Sequence, residues 1–445
     1  MDSMQITALV IFLATIGMII WGKLDRAVVG LLGMVLMVLV GVMDESEAFL
    51  FVDWNVIAIL FSVWIIAAYF GKTGIPQYLA ATVLKFSRNN IAIFLTLIAT
   101  MSGFISMFVD NVVVVLMMAP VVFHITRKMK LPSFPFLITV GLAANFMGAA
   151  LMLGDLPPQM LHSVSGIEFG GFIWQMGKPS SFPLLTTTFL LTMLCMYRFK
   201  LKKLYAGFTP DSAAIAEIVG VNPADHIKNK KFAAVSVGMF LATILAMSFR
   251  QLTGLHLGFI ALIGMMLLVL INEIFSKQLE GPSFEEVLGG LGWQALIFYI
   301  VLFVLVGAIN HVGIIGMVAN ALSGYFQQNL ILGSTLLYWV TAPIVGIVEY
   351  DAYILAFLYL IKDIAVSASI SPWPLWWALL WSGTLGSNLT LAGAPTLFVA
   401  QSLSEKEDSR KVRLKEFLSY SALFVGVSLV IQYVLLMLFW VIPSM

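Results

Sequence analysis

The stretch Ser106–Val115, SMFVDNVVVV, places Asp110 and Asn111 in the middle of a long apolar run. A charged group at membrane depth costs at least about 2.5–3.5 kcal/mol on insertion scales, so such residues mark solute paths, ion paths or proton relays. Glu349 and Asp351, in VEYDAY (348–353), repeat the situation downstream, and no Lys or Arg lies nearby in sequence to neutralise any of the three. Desolvation disfavours the charged form of a carboxylate and brings its proton exchange closer to neutral pH. Asp110, Glu349 and Asp351 are therefore candidates for proton coupling; their blander role would be to cap the helices that follow them.

Two more patches interrupt the apolar runs: GLAANFMGAALMLGDLPPQ (141–159) and SGTLGSNLTLAGAPT (382–396). Gly and Pro disrupt a regular helix, and unwound backbone within a bilayer is tolerated only where protein or a water-filled cavity satisfies it. Freed carbonyls attract cations, and amides at a restarted helix attract anions or hydroxyls. The chemistry expected is the binding of a small solute or ion where a hairpin tip faces a broken helix.

The elements that must position these groups are membrane helices. The chain has 445 residues, 60% hydrophobic and 11% charged, against about 25% charged in soluble domains. Successive apolar windows of roughly 20 residues are each long enough to cross a bilayer core of about 30 Å, which predicts an all-α polytopic membrane protein. The first window has no basic n-region or small-residue cleavage site and reads as a retained helix. The single cysteine, Cys195, excludes disulfides and thiolate metal clusters. There is no phosphate-binding glycine loop, no HExxH and no basic excess for nucleic acid, so the chain reads as a carrier, not an enzyme, with neither metal nor cofactor.

About ten spans are expected: 5–22, 27–43, 54–70, 134–155, 182–198, 233–249, 256–272, 293–309, 375–400 and 418–441. Two apolar pairs, 91–127 and 331–361, are expected to be re-entrant hairpins, and 74–88 an amphipathic interfacial helix. Gly30 and Gly33 read as helix-packing glycines of the second span, and the tryptophans of SPWPLWWALLW (371–381) as an interfacial aromatic belt. If each pair enters and leaves on one side, 21 of the 24 basic residues fall on the inner face and only Lys178, Arg250 and Lys362 remain outside. This expectation puts both termini outside and Arg26, with Lys23, in an inner loop.

The sequence also repeats. Trp54 and Trp293 align at an offset of 239, as do Gly74–Ile75 with Gly313–Ile314 and Gly154 with Gly393, while Asp110 is matched with Asp351 at 241. Five spans and one hairpin per half make the second half enter from the opposite face, an inverted-topology repeat with its site near the midplane. The expected division is a first repeat over 1–199 (hairpin 91–127, broken helix 134–165), a cytoplasmic linker over 200–231, and a second repeat over 232–445 (hairpin 331–361, broken helix 375–400).

From about residue 50 onward the motifs resemble a known family. SMFVDNVVVVLMMAPV, NFMGAALMLGDLPPQML and PLWWALLWSGTLGSNLTLAGAPTLFVAQSLSEK resemble, in order, motifs of the ion transporter superfamily, in its ArsB/NhaD-type arsenite-permease and P-protein branch. The resemblance implies a scaffold domain and a transport domain of two hairpins and two broken helices, working as an elevator, often within a homodimer. Carried over residue by residue, it implies a site of Asp110, Asn111, Gly148, Gly154, Asp155, Asp351, Ser387, Asn388, Thr390 and Gly393. This chain departs from the branch at Ala149 and Ala150, which remove hydroxyls, at Leu156, which precedes the prolines, and in EYDAY, which lacks the Asn of the first hairpin.

Proton-coupled efflux of arsenite or antimonite in a bacterial inner membrane is the leading expectation. The cargo would be a neutral trihydroxide held by oxygen and nitrogen groups, and a soluble ATPase subunit could dock on the basic inner loops. Sodium/proton antiport comes second, since the carboxylates and freed carbonyls suit Na⁺ equally, and a dicarboxylate or other small-anion carrier third. An intramembrane aspartyl protease is disfavoured because LGD (153–155) precedes YD (350–351) and Met152 stands where its glycine is needed. A simple channel would require the hairpins to line a fixed pore.

Overall fold

The computed structural model describes residues 1–21, 23–87, 90–206, 223–347, 350–391 and 393–444. It is an almost wholly helical membrane protein, with one two-residue-strand ribbon at Trp174–Gln175 and Lys178–Pro179. Among the described residues, eight helices are long and apolar enough to cross a membrane. Seven correspond to expected spans and the eighth, Asn111–Met129, is an arm of the first hairpin. The second expected span is shorter, at Arg26–Leu39. The remaining two are broken: Phe134–Gly148 resumes as Leu156–Ser165, and Trp373–Ser387 resumes as Pro395–Asp408. The expected amphipathic segment is the helix Ile75–Phe86, and the structure adds an unanticipated counterpart, Ile314–Gln328.

The hairpins are Ile91–Ser106 with Asn111–Met129 and Leu330–Val345 with Tyr350–Ala368. Their starts are dictated locally. Asn90 and Asn329 each cap the first arm, accepting from the backbone N–H of Ile93 and Leu332, as Asn does well at a helix start. Gly74 and Gly313 precede the amphipathic helices with φ of +81° and +79°, a conformation that favours glycine.

The helices Trp54–Lys72, Ile91–Ser106, Asn111–Met129 and Phe134–Gly148 begin and end 239 residues before Trp293–His311, Leu330–Val345, Tyr350–Ala368 and Trp373–Ser387. Small bonds repeat at the same offset: Trp54 Nε1 donates to Phe49 O, and Trp293 Nε1 to Leu288 O. Packing is reciprocal as well. The resumed helix Leu156–Ser165 lies against Tyr350–Ala368 of the second hairpin, and Pro395–Asp408 lies against Asn111–Met129 of the first.

This register corrects one alignment. The counterpart of Asn111 is Tyr350, the first residue of its arm, so Asp351 matches Val112 and not Asp110. Residue 349, which matches Asp110 by number, is Glu349 and lies outside the described residues. The tryptophan cluster is corrected too. Trp376, Trp377 and Trp381 are buried, Trp377 stacks on Trp381 with centroids 5.3 Å apart, and Trp381 Nε1 donates to Ser181 Oγ at 3.0 Å. A helix apolar all round is a core helix, so these rings pack the interior and form no interfacial belt.

Candidate functional site

The first hairpin tip turns between Ser106 and Asn111. Asp110 caps the second arm, its carboxylate accepting from Val112 N at 3.0 Å and Val113 N at 3.2 Å. Asn111, directed inward and buried, donates through Nδ2 to Asn145 Oδ1 at 3.0 Å. Asn145, in the broken helix, donates in turn to Ser387 Oγ at 3.0 Å, and Ser387 donates to Thr384 O at 3.0 Å. One amide therefore ties a hairpin tip and both broken helices together.

Asn145 was not among the sequence candidates. Its signal was present as a lone Asn in an otherwise apolar helix, a residue that burial makes costly unless its amide is bonded.

At the first break, Asp155 caps the resumed helix by accepting from Leu156 N at 3.0 Å. Gly148 and Gly154 let two strands of unwound backbone approach. A Cβ on Gly154 would lie 2.1 Å from Ser106 O and 2.7 Å from Gly148 O. At the second break a Cβ on Gly393 would lie 2.5 Å from Ser387 O and 2.8 Å from Val345 O. Each contact partner is again displaced by 239 residues. None of the three glycines has a positive φ, so close approach, and not a special dihedral, is what a side chain would spoil.

A cavity of about 350 Å³ opens at the first tip. Asp110, Asn111, Asn145 and Asp155 line one wall; Tyr350 and Asp351, from the start of the second hairpin's second arm, line another. Trp64, Tyr299 and Arg26 complete it from outside the hairpins. The Trp64 indole faces Asp110 without closing a hydrogen bond. Among the described residues no group of three or more acidic, His or Cys side chains converges as a metal site would.

Arg26 is the second residue that sequence reasoning missed as part of the site. As the first residue of its helix it looked like a loop cation; instead its guanidinium lies over the Phe298 ring, 4.8 Å from the centroid, and lines the cavity.

The structure thus gathers Asp110, Asn111, Asp155 and Asp351 around one cavity. Ser387 reaches it only through Asn145, and Gly148 and Gly154 support it from behind. Gly393 lines a second cavity of about 350 Å³. Asn388 and Thr390 line neither. Asn388 is fully buried, donates to Thr384 O at 3.1 Å and leaves Oδ1 without a partner. It does not pair with Asn111, whose amide bonds Asn145. Thr390 donates to Gly346 O, holding the second break against the second hairpin tip.

Residues 16–382 match the family model described as citrate transporter. An uncharacterized transporter of Mycobacterium tuberculosis (strain H37Rv) is 26% identical over 444 residues, 98% of each chain. The human P protein is 24% identical over 425 residues, covering 80% of this chain and 50% of that protein. Among solved structures, MtrF of Neisseria gonorrhoeae, which represents a class of antimetabolite efflux pumps, superposes with a TM-score of 0.56 over 92% of this chain and 84% of its own, at 12% identity. That likeness concerns the fold alone.

Proposed function

Because the chain belongs to the citrate transporter family and is a secondary membrane transporter, we propose that it couples protons to the movement of a small neutral, hydroxyl-bearing solute. Arsenite and antimonite, the cargo of the arsenite-permease branch, are the first candidates. The observation that carries this reading is the charge of the cavity: among the described residues, Asp110, Asp155 and Asp351 against Arg26, beside the amides of Asn111 and Asn145 and the phenols of Tyr299 and Tyr350. A citrate or dicarboxylate anion would meet more negative than positive charge there, and like charges at short range are costly. A neutral trihydroxide would find donors and acceptors on every wall. Protons are proposed as the coupling ion because Asp110, Asp155 and Asp351 all line the cavity wall, where desolvation favours the exchange of a carboxyl proton. Sodium/proton antiport is the second reading, favoured by the same excess of carboxylates.

The halves 1–199 and 232–445 are proposed to be inverted repeats joined by the linker 200–231. The common 239-residue register and the reciprocal packing of hairpins and resumed helices support this. They also favour an elevator, with hairpins and broken helices moving against the Trp54–Lys72 and Trp293–His311 pair. A homodimer and a docked soluble ATPase subunit belong to the same proposal.

Orientation follows the basic loops. Arg127 bonds Glu407, Asp408 accepts from Ser133 N, and Lys200 donates to Ser419, which joins three of the loops assigned to the inner side. Lys72–Glu286 and Asn229–Gln278 join others. On the opposite face Arg250 pairs with Glu168 and Lys178 with Ser444. This partition supports a bacterial inner-membrane protein with both termini outside.

The decisive experiment is transport by purified protein in liposomes with arsenite, antimonite, sodium or citrate, with and without a pH gradient. Gradient-driven arsenite or antimonite flux is expected. Gradient-driven sodium flux without either would establish the second reading, and citrate flux would overturn both.

A further inference from the structure

The two cavities are neighbours, and Arg26, Tyr350, Asp351 and Pro395 line both. The first belongs to the first hairpin tip and first break; the second holds Ile347 of the second tip with Leu391 and Gly393 of the second break. In the 239-residue register these are equivalent half-sites, yet their chemistry differs. Asn111 becomes Tyr350, Asn145 becomes Thr384, and Asp155 becomes Ala394, so the resumed helix at Pro395 has no side-chain cap. Among the described residues that line the second cavity the carboxylate is Asp351, and Arg26 lines the same space.

Arg26 comes from the helix Arg26–Leu39, which packs on Trp293–His311 and belongs to neither hairpin. The Phe298 ring beneath its guanidinium supplies a cation–π seat. A guanidinium does not deprotonate in proteins, so its charge is permanent. A buried charge left without compensation is strongly destabilising; Asp351 is buried, and Arg26 lines the same two cavities.

We propose that, in the conformation this structure holds, Arg26 is a tethered counter-cation that fills the ionic role of the second half-site, leaving the first as the place where a coupling ion comes and goes. Arg26 is a positioning residue in this scheme, acting on Asp351 and on the number of ions coupled. The proposal rests on the coupled-carrier reading above, and the guanidinium arm of its test does not depend on what the carrier moves. Among the described residues, the charged and titratable side chains that share the first cavity with Arg26 are Asp110, Asp155 and Asp351 with Tyr299 and Tyr350.

The test uses the full-length protein purified in detergent, with melting temperature and tryptophan fluorescence as readouts, since Trp64 lines the same cavity. Arg26→Ala should gain a saturable response to added guanidinium at millimolar concentration, with choline as control, while the wild type shows none. In liposomes Arg26→Ala should lose about tenfold or more of the flux, within the range of energetic coupling between sites, and guanidinium should restore most of it. Arg26→Lys should keep more flux than Arg26→Gln. Should Arg26→Ala fold poorly, the comparison of Arg26→Gln with Arg26→Gln/Asp351→Asn replaces it, and the double variant should melt higher.

A guanidinium response equal in wild type and variant, undiminished flux in Arg26→Ala, or a double variant no more stable than the single one would overturn the proposal. If the coupled-carrier reading is itself at fault, the wild type will show no gradient-driven flux, whereas the guanidinium response of Arg26→Ala will still be seen.

Discussion

The two broken-helix regions share a backbone and differ in their side chains. Around the first, Asn111 bonds Asn145; at the same place around the second, the Tyr350 hydroxyl bonds Thr384 Oγ1 at 2.6 Å. Gly148 faces the first break where Ser387 faces the second, and Asp155 caps one resumed helix where Ala394 precedes the other. The contacts that hold unwound backbone in place are kept in both halves, while the polar groups beside them change: among the described residues Asn111, Asn145 and Asp155 of the first correspond to Tyr350, Thr384 and Ala394 of the second. The scaffold of a site and its chemistry are therefore separable, and each can be broken alone.

The largest effect should come from attacking what the halves share. Gly154→Val forces a side chain against the Ser106 carbonyl, and Gly393→Val does the same against Ser387 and Val345. Backbone cannot yield as a flexible side chain does, and misplacing a site by about 1 Å can cost about a hundredfold in rate. Both variants should lose transport to about that degree in the liposome assay. Gly238→Val and Gly426→Val, where a new Cβ meets nothing within 4 Å, are the controls. Gly30 and Gly33 are unsuitable for that purpose, since a Cβ there would lie 2.9 Å from Val301 Cγ1 and 2.4 Å from Thr15 Oγ1. Loss in one half with tolerance in the other would mean that the shared backbone is not a shared requirement.

Next comes what the halves do not share. Asp110→Asn and Asp155→Asn should each abolish flux driven by a pH gradient while leaving the melting temperature close to that of the wild type. An Asn side-chain oxygen can still accept from Val112 and Val113, or from Leu156, as the Asp does. Pro395 follows Ala394 and offers no N–H to cap, so Ala394→Asp should not create a second coupling site. Uptake of wild-type pH dependence by either Asn variant would remove that residue from the coupling scheme.

The shared backbone was far more legible in the sequence than the unshared chemistry. Hairpins and breaks announce themselves through residues with strong local preferences: Asn90 and Asn329 at helix starts, Gly154 and Gly393 at close approaches, and prolines that end one segment and open the next. Arg26 left no such trace, because its role comes from the packing of its helix against Trp293–His311, a contact far away in the chain. Asn145 was hidden by its apolar neighbours. Matching Asp110 to Asp351 by residue type missed the register by two positions, which the equal helix starts at Asn111 and Tyr350 now fix. Asn388 stands beside a break and looked like a ligand; three-dimensional packing turned it inward, toward Thr384 O.

Asn145 is the next test in size. Asn145→Leu removes both bonds of the bridge and leaves the Asn111 amide and the Ser387 hydroxyl each short of a partner. A buried group so orphaned costs about 1–3 kcal/mol, and the melting temperature should fall visibly. Solute affinity should fall with it, because Asn111 and Asn145 both line the cavity. A melting point lowered with affinity intact would reduce the amide chain to a structural clamp.

The smallest effect is expected at the matching place in the second half. Thr384→Val keeps the shape of the side chain and removes one hydroxyl, which bonds the Tyr350 phenol. One neutral hydrogen bond contributes about 0.5–1.5 kcal/mol net, so a small drop in melting temperature is the expected outcome. Thr384 lines neither cavity, and the backbone carbonyl that receives Ser387 and Asn388 is untouched by the change. Solute affinity and the pH dependence of flux should therefore stay at wild-type values. If Thr384→Val instead shifts the pH dependence as strongly as Asp155→Asn, the second half takes part in coupling on equal terms, and the asymmetry drawn between the two regions is wrong.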